Sequence, residues 1–178
     1  MKSGFCLCDQ VPLVAARTGL VVVRHVREAE KSTNTARLAA LAVPGTRLLE
    51  FDGTPESVEP ALAALEEAWL LFPDSASALP AGPPKHLVVL DGTWRQTRRM
   101  LRKLPSLRAL PRLALAGPRP GITRLRRSPS AEGMSTLEAI AAALGQLEGG
   151  EGPAKLERLH DLMVERVLAG RGTRSPRA

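Results

Sequence analysis

The apolar run Leu87-Val88-Val89-Leu90 leads straight into Asp91-Gly92-Thr93-Trp94. A short run rich in β-branched residues reads as a buried strand. Thr93 with Gln96 three residues on reads as the capped start of a helix. The tetrapeptide therefore sets a carboxylate at a strand end, beside the unpaired N–H groups of a helix start. A carboxylate so placed can take a proton or stand opposite a cation, which makes Asp91 the candidate catalytic residue. Asp-Gly-Thr is also an ordinary strand-to-helix turn and Trp94 can be plain core, so the motif alone leaves a structural role open.

The helix that follows adds charge to this position. Arg95, Arg98, Arg99 and Arg102 fall at i, i+3, i+4 and i+7, on one face. Trp94, Thr97, Leu101 and Leu104 form the opposite, mostly apolar stripe expected to pack on a sheet. The arginines belong to a longer block: residues 95–127 hold eleven basic residues, ten of them arginine, and no acidic one. Residues 48–84 are the mirror image, with seven acidic residues and no Lys or Arg. A one-sign block of this kind suits phosphate, and the guanidinium fork matches phosphate geometry better than an ammonium does. With only five aromatic residues and no tyrosine, folded RNA gripped by phosphate contacts and shape is a better expectation than base stacking.

The elements that position these residues alternate. Strands are expected at residues 20–24, 47–51, 69–72 and 87–90, with another near 113–116. Helices are expected over 34–41, from Thr54 to about Glu67, from the Asp91 motif to about Leu104, from Ser135 to about Leu147, and over 155–169. Thr54-Pro55-Glu56 offers a cap, a first-turn proline and an acidic first turn. Ser135-Thr136-Leu137-Glu138 is a capping box. Residues 74–84 and 117–121 read as loops. Alternation of this sort points to an α/β fold with a mostly parallel sheet and flanking helices. Ligands of open α/β sheets sit outside the C-terminal strand ends, where His25, Pro73 and the Asp91 motif emerge.

Composition narrows the class. The chain has 178 residues, 44% of them apolar and 24% charged, with net charge +7. That is one domain's worth, expected over residues 1–169 with a disordered tail over 170–178. No apolar run approaches the roughly 18–20 residues needed to span a bilayer. The start carries no apolar leader with a cleavage site, and the two cysteines, Cys6 and Cys8, build no disulfide framework. A cytoplasmic protein is expected. Walker, G-x-G-x-x-G and G-x-S-x-G motifs are missing, and the histidines and cysteines form no zinc pattern, so no metal is expected.

Five segments in order resemble the DTW-domain family: Lys31-Ser32-Thr33-Asn34-Thr35-Ala36-Arg37-Leu38, Leu71-Phe72-Pro73, Asp91-Gly92-Thr93-Trp94, Thr123-Arg124-Leu125-Arg126, and residues 132–139 around Ser135 and Glu138. The likeness spans roughly residues 5–168. It implies a SPOUT-like, knotted fold and a tRNA-uridine aminocarboxypropyltransferase, which moves the 3-amino-3-carboxypropyl group of S-adenosylmethionine to N3 of a tRNA uridine. Relatives commonly begin with a longer cysteine-rich segment, whereas this chain keeps only Cys6 and Cys8. Two thiolates cannot complete a four-ligand zinc site.

On that resemblance, Asp91 acts as base or orienting group. Leu71, Phe72 and Pro73 wall the adenosine, with Gly92 and Thr93 beside it. Trp94 offers an apolar wall or a cation–π face to the sulfonium. Ser135, Thr136 and Glu138 lie at the methionine end, where the helix start suits a carboxylate, although Ser135 and Glu138 can be a capping box and nothing else. Asn34, Arg37, Arg95, Arg98, Arg99, Arg102, Arg124, Arg126 and Arg127 are the expected RNA contacts. Two other readings remain at this point: a SPOUT-type RNA methyltransferase using the same cofactor, and a non-catalytic RNA-binding module.

Overall fold

Five short strands pair into one parallel sheet in the computed structural model of the chain, which describes residues 7–31, 34–73, 79–121 and 133–172. They are β1 (Gly19–His25), β2 (Arg47–Phe51), β3 (Ala68–Leu71), β4 (His86–Asp91) and β5 (Arg112–Leu113), in the order β2-β1-β4-β3-β5. The central strands read as unbroken apolar runs because both faces of the sheet are covered. On one face, Val21, Val23, Phe51, Leu70 and Val88 pack with Val58, Leu62, Met100, Leu104 and Leu107. On the other, Leu20, Val22, Trp69, Leu87 and Val89 pack with Ala36, Ala39, Ile140, Leu144, Leu156 and Leu159.

The covering helices are α1 (Val26–Ala29), α2 (Thr35–Ala42), α3 (Glu59–Ala63), α4 (Trp94–Lys103), α5 (Pro105–Ala109), α6 (Thr136–Leu147) and α7 (Gly152–Gly172). Local chemistry sets several of their starts. The Asn34 side chain caps α2 by accepting from the N–H of Arg37. Thr93 with Gln96, and Ser135 with Glu138, close reciprocal capping boxes on α4 and α6. The loop after β5 turns at Gly117 (φ +113°), a backbone conformation that suits glycine.

Four expectations change. The helix expected from Thr54 to Glu67 is broken into a 3-10 turn at Pro55–Ser57 and the five-residue α3. Val58 between them has a non-helical φ of −137°. Thr54 bonds to Asp52 instead of capping, and Glu67 (φ +47°) turns the chain into β3. The strand expected near 113–116 pairs only at Arg112–Leu113, while Leu115 packs on the core without pairing. The last helix continues past Ala169 to Gly172, and residues 173–178 lie outside the described residues. Residues 74–78 of the expected 74–84 loop do so too. α1 and α5 are short helices that the apolar pattern does not signal.

Candidate active site

Asp91 is the last residue of β4 and stands in register with Arg24 of β1. Strand alternation turns it to the α2 and α6 side of the sheet, where it is 6% exposed. Both carboxylate oxygens accept hydrogen bonds. The Asn34 amide donates to Oδ2 at 2.7 Å, and the Thr136 hydroxyl donates to Oδ1 at 2.5 Å. Burial raises the Asp91 pKa above the ordinary carboxylate value, and Glu28 adds to that. The Thr136 and Asn34 donors and the Arg24 charge pull the other way.

Asn34 is tied in further. Its amide also donates to the backbone carbonyl of Glu28 at 3.1 Å, while its own oxygen caps α2. Asn34 is therefore a half-buried structural partner of Asp91, a role that the sequence did not signal beside the RNA contact expected of it. Glu28 is itself buried and pairs with Lys31. Arg24 forms hydrogen bonds and an ion pair with Glu50. The carboxylate thus sits among ionised groups that are themselves engaged.

Gly92 leads the chain from Asp91 into α4. A Cβ there would come 3.1 Å from the Gln96 Cβ, so only glycine lets the capping box close without a shift. Along α4 the buried side chains are Thr97, Met100 and Leu104, with Leu101 partly buried. Trp94 does not belong to the stripe. It is 41% exposed and stacks on Phe72, with ring centroids 5.5 Å apart and planes 15° apart. Phe72 lies just beyond β3, 8% exposed, while Leu71 faces the opposite core layer and Pro73 is exposed. Arg95, Arg98, Arg99 and Arg102 are all exposed, and none has a carboxylate partner among the described residues. Arg37 is exposed too.

His25, at the end of β1, faces the α4 side. Its Nδ1 accepts from the N–H of Arg27. Burial first, then the charges of Arg27, Arg99 and Lys31 against the opposing pull of Glu28, lower its pKa. The sequence marks His25 only as a loop position after the first strand.

The start of α6 divides its residues. Thr136 reaches Asp91, while Glu138, two residues on and so on another side of the helix, faces α7. Its Oε2 accepts from the Ser135 N–H at 2.8 Å and lies 3.5 Å from His160 Nε2. Glu138 and His160 line a surface recess with Arg119, Met134, Ala142 and Glu157. The structure therefore joins Asn34, Asp91 and Thr136, and Phe72 with Trp94. Glu138 it gives to a separate cluster. Arg124, Arg126, Arg127, Cys6, Ser32 and Thr33 lie outside the described residues. Among those described, no group of three His, Cys, Asp or Glu side chains could hold a metal ion, and no helix is long and apolar enough to cross a membrane.

A family model described as the DTW domain matches residues 1–168. A curated protein of Drosophila melanogaster, named tRNA-uridine aminocarboxypropyltransferase 2, is 26% identical over 157 residues. That alignment covers 80% of this chain but 62% of the fly protein. No solved structure matches.

The Asp91 contacts predict how two variants differ. In Asp91→Asn, the amide oxygen can accept from Asn34 while the amide nitrogen donates to the Thr136 hydroxyl, which can also accept. Asp91→Ala leaves both donors without their acceptor and should cost about 1–3 kcal/mol in denaturant unfolding. A folded-state pKa raised by burial contributes stability that is present below the unfolded value and lost as pH rises through the folded one. Stability of Asp91→Asn relative to wild type should therefore increase from about pH 4 towards neutrality. A pH-independent difference would contradict the burial account.

Proposed function

The chain belongs to the DTW-domain family, and on that premise we propose that it is a cytoplasmic tRNA-uridine aminocarboxypropyltransferase with a SPOUT-like, knotted fold. The observation that carries the reading is the buried carboxylate of Asp91, held from two sides at the C-terminal edge of a parallel sheet and adjoining an exposed arginine face. The similarity to the fly protein supports the reaction type.

S-adenosylmethionine, when bound, supplies a methylene carbon next to a sulfonium leaving group. The residues at the sheet edge fit such a molecule. Leu71 and Pro73 would wall its adenosine, with Gly92 and Thr93 alongside, whereas Phe72, expected there from the sequence, turns to the other face of the sheet and backs Trp94. The first-turn N–H groups of α6, with Ser135 and Thr136, suit its carboxylate. Glu138 serves this end through the cap it makes on Ser135. Asp91 stands where its charge can face the sulfonium, and its carboxylate is the acceptor for the uridine N3 proton. Burial that raises its pKa makes it a better base than an ordinary aspartate. The enzyme's main task is orientation, because the leaving group is already good. In the transfer, the N3–carbon bond forms as the carbon–sulfur bond breaks, and methylthioadenosine departs with the bonding electron pair. Arg37, Arg95, Arg98, Arg99 and Arg102 contact RNA phosphates, joined by Arg124, Arg126 and Arg127 of the same basic block.

Two measurements test this. Turnover with tRNA should release methylthioadenosine. Release of S-adenosylhomocysteine would make the protein a methyltransferase, and RNA binding without either product would make it a binding module. Changing Arg95, Arg99 and Arg102 together to Glu should weaken tRNA binding and leave S-adenosylmethionine affinity nearly unchanged. The salt dependence should flatten as well, by roughly 0.7–0.9 log units per decade of salt for every phosphate that is no longer neutralised. Unaltered tRNA affinity would assign those arginines another purpose.

A further inference from the structure

We propose that Trp94 is a stacking platform for an unpaired nucleobase of the RNA, with Arg98 resting over the ring in the free protein. The proposal rests on the RNA-transferase reading and deepens it by naming what the site takes: a base from a single-stranded stretch.

Trp94 is the first residue of α4 and adjoins Arg95, Arg98, Arg99 and Arg102, the exposed cationic face. At 41% exposure it stands apart from Trp69, Phe51 and Phe72, all less than one-tenth exposed. Its ring is backed by Phe72, which is anchored in the core, so the platform has a fixed floor. The Arg98 guanidinium carbon lies 5.0 Å from the Trp94 ring centroid, and that of Arg112 lies 5.7 Å from the centroid of Phe72. The result is a layered unit of two rings and two guanidinium groups at the surface.

What such a unit takes follows from charge. A sulfonium seated on Trp94 would meet Arg98 already making the cation–π contact there, with three more arginines on the same helix. Exchanging one cation for another gains little, and keeping both adds repulsion. A nucleobase is neutral and planar. It stacks on indole, and the phosphates on either side of it give Arg98 an anionic partner when it moves off the ring. Adenine of the cofactor could also stack but brings no phosphate for the displaced guanidinium. An RNA base therefore fits both halves of the unit. It must also be unpaired, since a paired base shows no free face and the N3 of a paired uridine is engaged.

The chain's two tryptophans make this readable, because Trp69 is buried and Trp94 is not. Titrating the full chain with a short single-stranded oligouridylate, without cofactor, should quench tryptophan emission. Trp94→Leu should remove that response and weaken binding about 5- to 150-fold. Trp94→Phe, which keeps a ring, should restore most of the affinity. Melting curves should show each variant folded, as expected for an exposed side chain. S-adenosylmethionine alone should leave Trp94 emission unchanged. Quenching by the cofactor and not by oligouridylate would overturn the proposal and return Trp94 to the cofactor wall. Equal RNA affinity in Trp94→Leu and wild type would overturn it as well. Failure of the transferase reading is separate: it would appear as wild-type protein that binds oligouridylate but yields no methylthioadenosine from tRNA.

Discussion

The hydrogen bonds converging on Asp91 hold the site together. Residues 34, 91 and 136 are far apart in sequence, and one carboxylate brings the start of α2, the end of β4 and the start of α6 to one point. Burying a charge is costly unless it is paired or hydrogen-bonded. Two donors offset that cost, and Arg24 across the β1–β4 ladder adds attraction. Burial, with a smaller repulsion from Glu28, still leaves the carboxyl above its ordinary pKa. A carboxylate held in this way is fixed in position and poised to accept a proton. An exposed aspartate at an ordinary turn would be neither.

The second constraint is the two-sidedness of α4. Met100 and Leu104 are fully buried against the sheet, which fixes the rotation of the helix and sends its arginines outward. Among the described residues 48–73, no acidic side chain forms an ion pair with this face. Glu50 pairs with Arg24, Glu59 receives the backbone and hydroxyl of Ser106, and Glu66 and Glu67 pair with Lys85. The arginine face beside Asp91 therefore stays cationic, and Arg99 adds to the lowering of the His25 pKa that burial begins.

Local patterns carry the fold and only part of the site. β1 and β4 are legible because central strands buried on both faces are almost wholly apolar. The starts of α4 and α6 are legible because capping boxes act within four residues. Thr54 misleads because the same Thr-Pro-Glu chemistry opens a 3-10 turn as readily as a longer helix, and the backbone at Val58 then leaves helical geometry. Spacing alone puts Trp94 in the apolar stripe, whose position Met100 fills in the structure. Its exposure depends on Phe72 and Arg98, and the spacing within α4 says nothing about a ring arriving from β3. Asn34 is expected at the RNA by resemblance alone, and no local pattern signals its bond to Asp91, which spans 57 residues. Adjacency to Thr136 suggests the methionine end for Glu138, yet helical rotation turns it towards His160.

The central claim is that this carboxylate carries the chemistry as well as holding the site together. It is tested most directly by single-turnover transfer to tRNA at saturating S-adenosylmethionine, comparing wild type with folded Asp91→Asn. The account predicts normal tRNA binding with a transfer rate lower by about 10²–10⁴-fold, the range for loss of a general base. A folded Asp91→Asn protein that transfers at close to the wild-type rate would contradict it.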